Sequence, residues 1–137
     1  MMEIQATYLH DMRIECIRLD TKERIYTDGP QSIQGLDEYF SPTDLCVLSL
    51  ATCVLTMMGL KAKKLGADFK KTLVKMQKEM TKDFKRIGFI ELEIFCPNEF
   101  SEEEQKALED AAYTCPVHHS LHPEIRINIE FYWGVHG

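Results

Sequence analysis

Apolar and polar residues alternate with a period of two along the first third of the chain. Ile4, Ala6 and Tyr8 share one face, and Met12, Ile14 and Cys16 share another after a turn at His10-Asp11. A third short run over 24–27 stops at Asp28-Gly29-Pro30, a strong turn signal. The pattern predicts three antiparallel strands in a meander, followed by a polar loop over 31–40. The period then changes. Ser41-Pro42-Thr43-Asp44 opens a helix, with Ser as N-cap, Pro at the first helical position and an acid three residues after the cap. Gly66 supplies a stop just after Leu65. The segment 45–60 is apolar on nearly every face, which predicts a helix buried on most sides by other helices or by a second subunit.

Two further strands are predicted over 69–80 and 87–96, joined by a charged turn. In the second, Ile90, Leu92, Ile94 and Cys96 alternate with Glu91 and Glu93, as in a half-buried antiparallel strand. Ser101-Glu102-Glu103-Glu104 is a capping box for an amphipathic helix reaching about Thr114, and Pro116 ends it and begins another short turn. Ile125, Ile127, Ile129, Phe131 and Trp133 face one way along a last strand. The order β-β-β-α-β-β-α-(α)-β predicts an α+β fold in a single domain over 1–137, without linker or repeat.

With 137 residues the chain has room for one core. Its net charge of −6 removes the basic face on which nucleic-acid binding depends, so no nucleic-acid partner is expected. Lys61, Lys63, Lys64, Lys70 and Lys71 read as a helix C-terminus and a solvated loop. The first ten residues lack a basic, apolar leader. The long apolar run is broken by Ser49, Thr52 and Thr56 and falls short of the ~20 residues of a membrane span. A cytoplasmic protein with no membrane partner is expected. Five cysteines, an odd number at irregular spacing, do not form a secreted disulfide framework.

Each cysteine has its own setting. Cys16 and Cys96 fall on apolar strand faces and read as buried structural thiols. Cys46 and Cys53 lie seven residues apart on one helix stripe, so ~1.5 Å of rise per residue separates them by ~10 Å. That exceeds the ~7 Å reach of a disulfide, and a redox partner for Cys53 must come from elsewhere. Cys115, just before Pro116, occupies a helix N-terminus, where free N–H groups favour a thiolate. From this local argument Cys115 is the more acidic thiol, and Cys53 needs a cation from another segment. Cys115, His118, His119 and His122 also have metal-ligand spacing if they continue on one helix.

Ser-Pro-x-acid-Leu, a buried helix carrying Ala-Thr-Cys, then Gly-Ala-Asp, and later Thr-Cys-Pro-Val-His-x-Ser-Leu before a final strand together resemble the OsmC/Ohr family. These are osmotically inducible and organic-hydroperoxide-resistance proteins. The resemblance implies an OsmC-like fold of two antiparallel β-meander segments around a long buried central helix, in an intertwined homodimer with sites at the subunit interface. It implies a peroxidase without cofactor that reduces small organic hydroperoxides. Cys53 would be the peroxide-attacking thiol, Cys115 the resolving thiol, and a lipoyl-type dithiol the reductant. It also implies a thiolate-supporting arginine from the N-terminal segment. Arg13, Arg18 and Arg24 offer one, and Arg13 is taken as the site residue. Where the hydroperoxide-resistance branch carries a Glu that holds this arginine, the present chain has Thr43. Asp44, turned about 100° further round the helix, does not stand in for that Glu. Slow peroxidase activity is therefore expected. The alternatives are a non-catalytic dimer binding a lipid-like or other apolar ligand and, more remotely, a metal-thiolate site.

Overall fold

The computed structural model describes residues 2–137. The chain divides into two compact units, one ending at Cys46 and the other running from Val47 to Gly137. In the first, β1 (Ile4–His10), β2 (Arg13–Arg18) and β3 (Arg24–Thr27) form an antiparallel sheet in the order β1-β2-β3, the expected meander. Asp11 and Met12 both have positive φ, as a tight two-residue hairpin requires, so Met12 belongs to the turn and not to the strand face. The loop after β3 folds back on the sheet. Gly29 N–H donates to the Met12 carbonyl at 3.1 Å, and Asp28 N–H donates to the Phe40 carbonyl at 3.1 Å. The loop also contains a short 3-10 turn, Gln31–Ile33. A Cβ at Gly35 would run into the Gly29 carbonyl, so this close approach of backbone demands glycine.

Helix α1 (Pro42–Leu65) crosses from the first unit into the second. It ends where expected, with Gly66 at φ 68°. Its burial differs from the expectation. One stripe, Val47, Leu50, Ala51, Val54, Met58 and Ala62, is buried, whereas Leu48 and Leu55 are half-buried and Leu60 is exposed. A single chain covers one side of this helix only. The expectation that the apolar run is too short for a membrane also fails. At 24 residues α1 is long and apolar enough to cross one by length and composition. Thr52 and Thr56 do not break it, because their hydroxyls bond to the Ser49 and Thr52 carbonyls within the helix.

The second unit continues with β4 (Leu73–Met80), β5 (Ile87–Cys96), α2 (Glu102–Ala112), α3 (Pro116–Ser120) and β6 (Arg126–Trp133). β4 starts four residues later than the sequence suggests, since Lys71 has a positive φ and Thr72 N–H closes a turn onto the Phe69 carbonyl. The sheet order is β4-β5-β6. β4 and β5 are antiparallel, but β5 and β6 are parallel. This half is therefore not a second antiparallel meander. α2 and α3 form a crossover that carries the chain back before β6 begins, and a crossover of this kind delivers a parallel strand. Ile90, Leu92, Ile94 and Cys96 alternate inward with no exposed surface, and Leu50, Val54, Met58 and Leu108 complete the core. Burying each such large aliphatic side chain stabilises the fold by about 1.5–3 kcal/mol.

Candidate functional site

Cys53 lies on α1 beside the buried Val54 and is half-buried. α2 stops at Ala112 under its complete Ser101–Glu104 capping box, and Cys115 follows as the N-cap of α3, with extended backbone and Pro116 at the next position. The Cys115 Sγ accepts the His118 N–H at 3.4 Å, and its carbonyl accepts the His119 N–H at 3.2 Å. Within the second unit the fold brings the two predicted thiols together: Cys115 is fully buried, and Cys53 lies close enough to raise its thiol. Both are free cysteines.

The acidity argued for Cys115 is overturned. Burial, above all, and then the neighbouring Cys53 thiol push this thiol up, against the smaller help of the His118 N–H. α3 has five residues, too short a dipole to offset loss of water around the sulfur. Cys96 is likewise buried, and burial pushes its thiol up to about 11. Cys16 and Cys46 are half-buried; for Cys16 this departs from the expected buried strand face.

The metal-ligand spacing does not survive folding either. α3 ends at Ser120, so His122 leaves the helix, and its Nδ1 accepts the Glu124 N–H at 3.1 Å. Among the described residues no group of three His, Cys, Asp or Glu is placed to hold a metal ion.

In the first unit, the three candidate arginines separate clearly. Arg18 pairs with Asp20 at the surface, and Arg24 lies 3.8 Å from Glu15 with half its side chain exposed. The Arg13 side chain is only 17% exposed. Its Nε and Nη2 donate to the two oxygens of Asp28 at 2.8 Å each, and Nη2 also donates to Glu38 at 2.8 Å. Its guanidinium lies 4.7 Å from the centre of the Tyr39 ring. Asp28 is 1% exposed and also accepts the N–H groups of Glu38 and Tyr39 at 3.0 and 2.9 Å. The Arg13 guanidinium holds the Asp28 carboxyl far below the usual carboxylate range. Sequence reading missed this buried ion pair, taking Asp28-Gly29-Pro30 for a turn. Asp44 does what its spacing predicts: its carboxylate accepts the Ser41 N–H at 3.0 Å while Ser41 Oγ accepts the Asp44 N–H at 3.1 Å.

A groove of about 370 Å³ runs along α1 and α2 in the second unit, lined by Met57, Leu60, Ala107 and Ala111 with Lys61, Lys64 and Asp110 at its edges. Neither Cys53 nor Cys115 lines it.

The family model for the OsmC-like protein matches residues 35–130. The chain belongs to the OsmC-like family. Its solved relatives include a protein from Psychrobacter arcticus described as an osmotic-stress-induced and detoxification-response protein. That relative is 36% identical over 94% of each chain, with a TM-score of 0.90. An OsmC-like protein from Mycoplasma pneumoniae is 23% identical over 97% of this chain and 96% of its own, with a TM-score of 0.75. An organic hydroperoxide resistance protein OsmC from Legionella pneumophila is 12% identical over 98% and 97%, with a TM-score of 0.71. The last two likenesses speak for the fold alone. No curated protein matches the chain by sequence. The α+β architecture with two three-stranded sheets is that of OsmC-like structures.

Proposed function

We propose that this OsmC-like protein is a cytoplasmic thiol peroxidase that reduces small organic hydroperoxides. One observation carries the reading: two cysteines 62 positions apart lie close together in the second unit, near enough for Cys53 to raise the Cys115 thiol. The Cys53 thiolate attacks the O–O bond of the hydroperoxide, becomes a sulfenic acid and releases the alcohol. The Cys115 thiol condenses with that sulfenic acid, forming a disulfide and releasing water. A dithiol of lipoyl type then takes the disulfide's place, becoming a cyclic disulfide as both protein thiols are restored. The raised Cys115 thiol suits the resolving role, because it stays protonated while Cys53 reacts. Arg13 is the cation assigned to the Cys53 thiolate, an assignment that rests on the family resemblance. The whole chain is taken as one OsmC-like domain, which a single unfolding transition would support. Turnover of cumene hydroperoxide with a dithiol reductant, abolished by Cys53→Ser, tests the reading. Turnover retained in that variant would refute it.

The protein is further proposed to be a homodimer. The half-buried Leu48 and Leu55 and the exposed Leu60 on α1 support this, as do the exposed Ile4, Tyr8, Leu9 and Ile25 of the first unit. The second functional reading, a non-catalytic binder of an apolar ligand, is favoured by the groove between α1 and α2. Ligand binding without any peroxide-dependent oxidation of Cys53 would establish it in place of the first.

A further inference from the structure

Among the described residues, His118 alone has a ring nitrogen that is buried without a hydrogen-bond partner, its Nδ1. Leaving a buried polar atom unpaired costs about 1–3 kcal/mol, so its place in the fold calls for a reason. That place is beside the thiol pair, wholly within the second unit. His118 is the third residue of α3, and its backbone N–H donates to the Cys115 Sγ at 3.4 Å. Cys53 lies next to that same sulfur. Nδ1 is the ring nitrogen nearer its own backbone, and so nearer to the N–H that touches the sulfur. The ring is flanked by those of Tyr113 and His119, with centres 6.3 and 5.9 Å away. A neutral imidazole with its proton on Nε2 offers a lone pair at Nδ1. An acceptor of this kind, held out of water beside a thiol, is suited to take the thiol's proton.

The resolving step needs such a base. Cys115 attacks only as its sulfur loses a proton, and burial makes that loss hard. We propose that His118 is the general base of disulfide formation, its Nδ1 accepting the Cys115 proton as that sulfur attacks the Cys53 sulfenic acid. The S–S bond forms, the S–O bond of the sulfenic acid breaks, and the imidazolium returns its proton to the departing hydroxide as water. The Cys115 sulfur is oxidised and the Cys53 sulfur reduced, so no further reagent enters the step. The sulfenic acid itself comes from the hydroperoxide, and to that extent the role rests on the peroxidase reading. The histidine that offered metal-ligand spacing thus finds its use in proton transfer.

The test times closure of the Cys53–Cys115 disulfide without peroxide. Reduced protein is treated with dithiobis(nitrobenzoate) and quenched in acid at intervals. Mass spectrometry then resolves the Cys53 peptide into its nitrobenzoate mixed disulfide and its disulfide with Cys115. His118→Asn keeps a polar acceptor near the Nδ1 position but takes no proton. It should load Cys53 as wild type does and close the disulfide about tenfold or more slowly at about pH 7. The deficit should shrink toward about pH 9. The unaided route gains about tenfold per pH unit as thiolate accumulates, while the imidazole route levels off once the ring is neutral. Tyr113 and His119, the ionisable groups against the ring, are common to both proteins and cancel in the comparison. His119→Gln, which removes the exposed neighbouring imidazole, should track wild type. Closure at the wild-type rate in His118→Asn overturns the proposal. So does a deficit of the same size at every pH, the mark of a packing role. If His118→Asn fails to fold, His118→Gln decides by the same two readings. Hydroperoxide turnover is measured on the same proteins. A pH-dependent deficit in His118→Asn, with no turnover by wild type, supports the base and sinks the peroxidase reading instead.

Discussion

Raising the pH through the range where thiols ionise should destabilise this protein in part through Cys96. Its thiol is completely buried at the end of β5, and burial moves it from an ordinary 9.0 to about 11. Below about pH 9 the folded and unfolded chains both keep this proton, so the residue's contribution is fully present. As the pH rises further the unfolded thiol ionises first and the folded one resists, and stability falls until about pH 11 is passed. The gap between 9.0 and about 11, at ~1.4 kcal/mol per pH unit, amounts to about 3 kcal/mol. Urea unfolding of wild type and Cys96→Ala under reducing conditions, at about pH 8, 9.5 and 11, isolates this contribution. Lysines and tyrosines titrate in both proteins and cancel in the difference. Wild type should lose about 2 kcal/mol more than the variant over that range, the rest following above about pH 11. Parallel loss of stability in the two proteins would show that burial does not hold the Cys96 proton. At neutral pH the same burial keeps Cys96 out of the thiol chemistry.

The remaining predictions concern the fold, the assembly and the resolving thiol. Ser101→Ala removes one half of the α2 capping box and should cost about 1 kcal/mol in a urea titration; no change would mean that the cap is not limiting. Leu48→Glu places a charge on the uncovered flank of α1. If a second copy covers that flank, light scattering should find the variant monomeric or unfolded, at a cost of several kcal/mol. A stable, folded wild-type monomer at micromolar concentration would contradict the homodimer. Cys115→Ser should consume one equivalent of peroxide and leave a sulfenic acid on Cys53 that dimedone traps. Trapping on Cys115 in Cys53→Ser, with turnover retained, would reverse the roles.

Much of the fold was legible because its signals are local. Period-two alternation marked β1, β2 and β5, and the capping boxes at Ser41 and Ser101 fixed both long helix starts. The direction of β6 was not legible, since inward alternation is the same in parallel and antiparallel strands. The helix N-terminus at Cys115 was read correctly, but its effect on acidity was not. Spacing shows where N–H groups point and says little about how much water a fold removes from the sulfur. His122 kept its sequence spacing and lost its face when α3 ended at Ser120. Asp28 was hidden by a local meaning that was itself true. Asp-Gly-Pro does make the turn, yet the carboxylate's pairing with Arg13 depends on strand register and on a loop returning ten residues later. The pairing of Cys53 with Cys115 came from the family resemblance, and the structure brings the two side chains together.

The central claim is tested most directly by mass spectrometry of the wild-type protein after stoichiometric cumene hydroperoxide, with free thiols blocked before digestion. The account predicts one new disulfide, joining the peptides of Cys53 and Cys115, that lipoyl-type dithiols reverse. Cys53 and Cys115 both recovered as free thiols, or oxidation confined to other cysteines, would contradict it.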